Sequence, residues 1–292
     1  MQRKLLTLSP NSDFKAIGLL TEIYPSSDIH IHACEMRLLE LDTGQFRLVE
    51  KIGRDIPRYA ILSHRWGVDE VTYQDIMEKT SEHKAGYEKL RFCAQQAAND
   101  GIGHVWIDSC CINKTDAVEL SEAIISMFRW YQSAERCYVY LPQIPAPDDD
   151  WQADFRKSDW FNRGWTLQEL LAPASVEFFS RDGKRLGDKR SLERQIHEIT
   201  GIPTRALRGE QLSSFSISDR MQWMAKRETT REEDKAYSLM GIFDVSMPVL
   251  YGEGEAKALT RLRKEIYHTL QQRTICDDEI GTDLLVGHLK AY

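Results

Sequence analysis

The chain has 292 residues, 42% hydrophobic and 10% aromatic, enough for one large domain or two smaller ones, which excludes a chain disordered throughout. With 38 basic and 45 acidic residues its formal net charge is −7, spread without a long block of one sign. That argues against a nucleic-acid partner, which calls for a basic face against phosphates. No stretch approaches the roughly 20 apolar residues of a membrane span, and the apolar run of "MQRKLLTLSP" is too short for a secretory signal. A soluble, cytoplasmic setting is therefore expected. The six cysteines (34, 93, 110, 111, 137 and 276) follow no regular spacing, and the vicinal pair Cys110-Cys111 is poorly placed for a disulfide, so reduced thiols are expected.

In chain order, residues 1–35 are mixed in character and carry the turn-like "YPSSD", as an N-terminal extension would. From residue 36 an apolar strand-like run leads repeatedly into a polar tip. "RYAIL" runs into "SHRWG", "GHVWI" into "DSCCINK", "RCYVYL" into "PQIPAPDDD", and "SVEFF" into "SRDGK". Helix-period segments lie between them, Tyr87 to Asn99 and Glu119 to Glu135, the second with Leu120, Ile124, Met127, Phe128 and Tyr131 on one face. Apolar strands alternating with helices predict an α/β domain over 36–185, a doubly wound parallel sheet with flanking helices. Beyond it "SLERQIHEITGI", "SISDRMQWMAKRETTREEDKAYSLMGIF" and "GEGEAKALTRLRKEIYHTL" read as a helical subdomain over 186–272, followed by a tail or linker over 273–292.

In such sheets ligands gather beyond the carboxyl ends of the strands. That rule delivers Ser63, His64, Arg65 and Trp66 from one tip and Asp108, Ser109, Cys110 and Cys111 from another, with "GWTLQELL" opening a helix on the same side. Glu169 has two readings. Thr166 and Glu169 have the spacing of a capping box, and a carboxylate beside Trp165 also suits a cleft. Trp66 and Trp165 are either core and cleft-wall residues or platforms for a base or a pyridinium ring. Asp108 pairs with Arg65 or faces the cleft. A Cys-His pair of His64 with Cys110 or Cys111 is a further, weaker candidate. His30, His32 and Cys34 share one side of a strand-like run, yet no second cluster completes a metal site. "YGEGEAKAL" lacks the full phosphate-loop spacing and reads as a turn and helix start, and no Walker motif occurs.

Four ordered stretches, "YAILSHRWG", "VWIDSCCINK", "SEAIISMFRWYQSAERCYVYL" and "WFNRGWTLQELLAP", resemble the heterokaryon-incompatibility (HET) domain of filamentous fungi. "RETTREEDKAYSLMGIFDVSMPVLYGEGEAKALTRL" is similar to the segment that commonly follows it, so the resemblance covers roughly residues 36–268. The family usually writes its second motif W-I-D-S-L-C-I-N-Q, where this chain has Cys110 for the Leu and Lys114 for the Gln. The resemblance implies an effector of programmed cell death when genetically different fungal cells fuse. HET domains are in turn similar to Toll/interleukin-receptor (TIR) domains, which implies a TIR/flavodoxin-like sheet. Some TIR domains hydrolyse NAD through the Glu of a W-C-x-x-E-L segment; "WTLQEL" matches it with Thr166 for the Cys, which points to Glu169 as the catalytic residue. On that reading Ser63, His64, Arg65, Trp66, Asp108, Ser109, Cys111 and Trp165 bind the substrate, and NAD or a related nucleotide is substrate rather than cofactor. The implied partners are a second copy of the chain and regulatory receptor domains or an incompatibility protein. The competing readings are a non-catalytic, self-associating adaptor and the Cys-His hydrolase.

Overall fold

The computed structural model describes residues 35–42, 45–145 and 151–288. The proposed N-terminal extension with His30, His32 and Cys34, and the end of the Pro/Asp loop, lie outside these residues. Seven strands form one sheet: β1 Glu35–Asp42, β2 Gln45–Ile52, β3 Ala60–His64, β4 His104–Ile107, β5 Arg136–Leu141, β6 Val176–Ser180 and β7 Arg185–Asp188, in the order β2-β1-β4-β3-β5-β6-β7. The fold is α/β, as the alternation of runs and helices predicts.

The four central strands are the four apolar runs of the sequence and pair in parallel. β3 is buried at every position, and β4 and β5 at all but their first, as strands covered on both faces are. The sheet as a whole is mixed, which corrects the expectation of a parallel one. β1 and β2 form an antiparallel hairpin added beside β4, and β7 is antiparallel to β6 at the opposite edge. These additions escape an apolar-run search because β2 alternates between exposed and half-buried positions and β7 is only four residues long.

The first helix, α1 (Tyr73–Met77), opens with a capping box between Thr72 and Asp75. α2 (Tyr87–Asn99) lies against β3, β4 and β5. α3 (Ala117–Ser133) is capped by Asp116, whose carboxylate accepts from the Val118 and Glu119 amides. The apolar face expected for α3 is present: Ile124, Met127 and Tyr131 are buried, and Leu120 and Phe128 pack partly buried against the core. α4 (Trp151–Arg156) follows β5, and then α5 (Thr166–Leu171) follows a short turn. That turn is pinned to β6 by edge-on aromatic packing of Phe155, Trp160 and Phe161 around Phe178, with ring centroids 5.1–5.7 Å apart for the edge-on pairs.

Beyond β7 come α6 (Glu193–Thr200), α7 (Thr204–Leu207), α8 (Ile217–Met224), α9 (Asp234–Tyr237), α10 (Met240–Phe243) and α11 (Glu255–His288). The stretch "SISDRMQWMAKRETTREEDKAYSLMGIF" holds three short helices, with the polar "KRETTREE" left as a connection. α11 buries Ala258, Leu262 and Ile266 along one stripe and packs on α9. α10 packs on α3 at Gly241, where an added Cβ would stand 2.2 Å from the Phe128 Cβ.

This close approach reverses an ordinary preference. Alanine for glycine inside a helix usually adds about 1 kcal/mol, but here the Phe128 ring has to give way. Gly241→Ala is expected to lower stability by about 1–3 kcal/mol, read as a drop in denaturation midpoint. An unchanged midpoint would show that α10 does not press on α3 as described.

Candidate functional site

The chain leaves β3 for β4 on one side of it and later returns to β5 on the other. The order of the parallel strands reverses between β3 and β5, and crevices for ligands open beyond the carboxyl ends at such a point. A cleft of about 1010 Å³ lies there, at the upper end of the range for small-molecule sites. Its walls come from the β3 tip (His64, Arg65, Trp66), the β4 tip (Asp108, Ile112, Lys114), α3 (Leu120, Ile124, Met127) and the segment from Asp159 to Glu169. The remaining wall is the "KRETTR" connection with Asp234 and Tyr251.

Glu169 sits one turn into α5 and is 8% exposed. Ser63, at the end of β3, donates its hydroxyl to Glu169 Oε2, and the Trp160 indole donates in turn to Ser63 Oγ at 2.8 Å. Burial pushes the Glu169 carboxyl up to about 7, against the pull of the Ser63 bond and of Arg163 and Arg227. The neighbouring Asp108 charge pushes in the same direction as burial.

The capping box does not form. Trp165 holds the cap position with no side-chain bond to the helix amides, and Thr166 is already inside the helix. The Thr166 hydroxyl lies 2.6 Å from the Trp160 carbonyl and 2.9 Å from that of Arg163, and it accepts from Arg227 Nη1 at 2.8 Å. Arg227 also donates to the Arg163 and Trp223 carbonyls. Burial brings its guanidinium down to about 10, with Glu169 opposing.

Across the cleft, Trp66 donates its indole N–H to Asp108 Oδ2 at 2.9 Å while the residue stays 41% exposed. Arg65 pairs with Asp159, so of the two readings of Asp108 the structure has the one that faces the cleft. His64 is buried between two carboxylates, its Nε2 3.5 Å from Glu70 and its Nδ1 3.9 Å from Asp108. Burial raises the Glu70 carboxyl, but His64, Lys89 and the Gly67 amide outweigh it and hold the group at about 2. Trp165 donates to Asp234 Oδ2 at 3.1 Å, and Tyr251 donates to Asp234 Oδ1 at 2.9 Å, so the helical segment is tied directly to α5.

Of the residues expected at the site, His64, Arg65, Trp66, Asp108, Trp165 and Glu169 line the cleft, and Ser63 lies directly beneath Glu169. Ser109 and Cys111 are buried and do not line it. The Ile107 amide donates to the Cys111 sulfur at 3.3 Å, and burial raises the Cys110 thiol well above its ordinary range. A thiolate nucleophile beside His64 is therefore unsupported. Sequence reasoning missed Asn162, Arg163 and the wall from Lys226 to Arg231. The available signal was the run "KRETTREE", too polar for a packed helix yet set between apolar segments. Among the described residues no group of three or more His, Cys, Asp or Glu is arranged to hold a metal ion, and no helix is long and apolar enough to cross a membrane.

Residues 59–149 match the sequence family described as Heterokaryon incompatibility protein (HET). Over 241 residues the chain is 56% identical to "Vegetative incompatibility protein HET-E-1" of Podospora anserina, covering 79% of this chain and 18% of that protein. The chain thus spans less than a fifth of that relative's length. No solved structure matches the chain.

The Glu169 environment fixes a pH dependence. Its folded value of about 7 lies above the ordinary 4.5, so the native state keeps a proton that the unfolded chain releases between those values. Stability contributed by that proton is full below about pH 4.5 and lost as pH rises toward 7. The span corresponds to at most roughly 3 kcal/mol. Denaturant unfolding at pH 5 and pH 8 is expected to show a wild-type loss that Glu169→Gln lacks. Parallel losses in both proteins would refute the buried carboxyl.

Proposed function

The chain is a fungal HET-domain protein, and we propose that it is an effector of programmed cell death in heterokaryon incompatibility that hydrolyses NAD to nicotinamide and ADP-ribose. The observation that carries this reading is the Glu169 carboxyl, buried on Ser63 at the wall of a cleft faced by Trp66 and Asp108. The relative's name, a vegetative incompatibility protein, supports the biological half of the proposal. The order of the four parallel strands, β4-β3-β5-β6, matches the start of flavodoxin-type sheets and supports a TIR/flavodoxin-like reading of residues 36–185.

The chemistry suits these groups. The nicotinamide–ribose bond breaks with its electron pair going to nicotinamide, which leaves neutral and needs no acid. The ribose is left with oxocarbenium character, which a nearby ionised carboxylate stabilises until water adds. Glu169 takes that role, and Trp66 or Trp165 supplies an aromatic face for the pyridinium. His64, Arg65, Asp108 and Ser63 shape the pocket around them. A second copy of the chain is the first partner to test, because a site of this class can be completed by self-association.

The test is release of nicotinamide from NAD by the purified chain. Glu169→Gln is expected to reduce turnover at least about 100-fold while keeping the fold. Wild-type kcat/KM should rise with pH to a plateau above about 7, as Glu169 loses its proton. Full turnover in a folded Glu169→Gln protein would remove Glu169 from the chemistry. Cell killing by that variant with cellular NAD intact would favour the adaptor.

A further inference from the structure

The Lys114 side chain is held in an unusual place. Its Nζ is buried and has no hydrogen-bond partner among the described residues. It lies 3.4 Å from the centroid of the Trp66 ring and 3.9 Å from Asp108 Oδ2. The side chain keeps 30% of its surface exposed, so its flexible four-carbon stem has a route to water. Burying an ammonium without acceptors is unfavourable unless something else compensates. Here the compensation is the face of Trp66, with Asp108 fixing the indole edge-on through its N–H and adding a negative charge beside the ring. Trp66 and Asp108 therefore form a seat for a cation, and Lys114 occupies it.

We propose that Lys114 is an internal competitor that sets the ligand specificity of the cleft: only a ligand bearing an aromatic cation together with a phosphate displaces it efficiently. This inference rests on the cleft being a pyridine-nucleotide site. A flat pyridinium covers more of the Trp66 face than an ammonium does and gives up weaker hydration, so it takes the seat. The expelled ammonium returns to water free to pair with an anion on the ligand, because Asp108 already holds the Trp66 indole N–H. A phosphate on the same ligand supplies that partner. A pyridinium without phosphate has to expel Lys114 with no such return, and a reduced nicotinamide has no charge with which to compete. Lys114 thus selects the oxidised, phosphorylated form.

Calorimetric titration of the Glu169→Gln protein, which keeps ligands intact, separates this idea from the hydrolase reading. The probes are N-methylnicotinamide methylated on the ring nitrogen, a pyridinium cation without phosphate, and NAD and NADH. Adding Lys114→Gln is expected to tighten N-methylnicotinamide about 2- to 30-fold, the range spanned by a contested cation–π contact. NAD should gain less or lose affinity, since the phosphate loses its partner, and NADH should not gain. Lys114→Met serves in the same role should Lys114→Gln fail to keep the native circular dichroism. The proposal is overturned by N-methylnicotinamide binding equally, more weakly or undetectably in both proteins. An equal gain for NAD removes the phosphate role. Absent nicotinamide release from the wild-type chain, together with the expected affinity shift, discards the hydrolase and keeps the competitor.

Discussion

The hydrogen bond from Ser63 to the buried Glu169 carboxyl is the contact around which the rest of the molecule is arranged. A carboxyl removed from water is costly unless it is bonded or neutralised. Its partners come from far apart in the chain. Ser63 is delivered by the end of β3, and Trp160 completes the hydroxyl from a turn locked on β6 by the Phe155, Phe161 and Phe178 rings. Arg227 adds positive charge from the helical segment while tying down the start of α5. Each of these elements has its own packing reason to exist, and together they leave the acid only partly compensated. Its pKa near neutrality is the measure of that residue of cost.

Because Arg227 and Asp234 both reach α5, the C-terminal helices complete the site as well as covering the sheet. Gly164 shows how tightly the two parts meet. Its amide donates to the Glu228 carbonyl at 2.8 Å, and a Cβ there would stand 2.4 Å from the Thr229 methyl. A side chain at 164 would displace the Thr229 methyl, and the Gly164–Glu228 backbone bond helps set how far the wall bearing Lys226 to Arg231 stands from Glu169. The opening of the cleft is therefore set in part by backbone contact, which is less adjustable than side-chain packing.

What was legible in the sequence follows from burial. β3, β4, β5 and β6 are read from composition because strands covered on both faces need continuous apolar runs, and their order then places the tips. β1 and β2 are half-covered and charged, with Arg37 bonded to Glu50 and Arg47 to Glu40, so they look like ordinary polar sequence. Thr166 and Glu169 have capping-box spacing, but the rule assumes a free hydroxyl and a free carboxylate at the helix start. The Thr166 oxygen is already committed to Trp160, Arg163 and Arg227, and the Glu169 carboxyl to Ser63. Nothing local in "WTLQEL" announces those distant partners. The run from Lys226 to Arg231 marks itself as a connection by its polarity, but it carries no periodicity to say that it faces the cleft.

Several departures from local rules gather in one place. A capping motif that does not cap, a buried acid with its carboxyl near 7, an ammonium resting on an indole and a histidine wedged between two carboxylates all border one cleft. At the starts of α1 and α3 the rules hold: Thr72 and Asp75 cap α1, Asp116 caps α3, and the apolar face of α3 is where its period puts it. Charge held at a cost on several walls of one cleft is what a site for a ligand calls for. Repacking Glu169 and Lys114 as neutral residues would relieve both desolvation costs, so their presence here is better explained by what enters the cleft than by the stability of the empty protein.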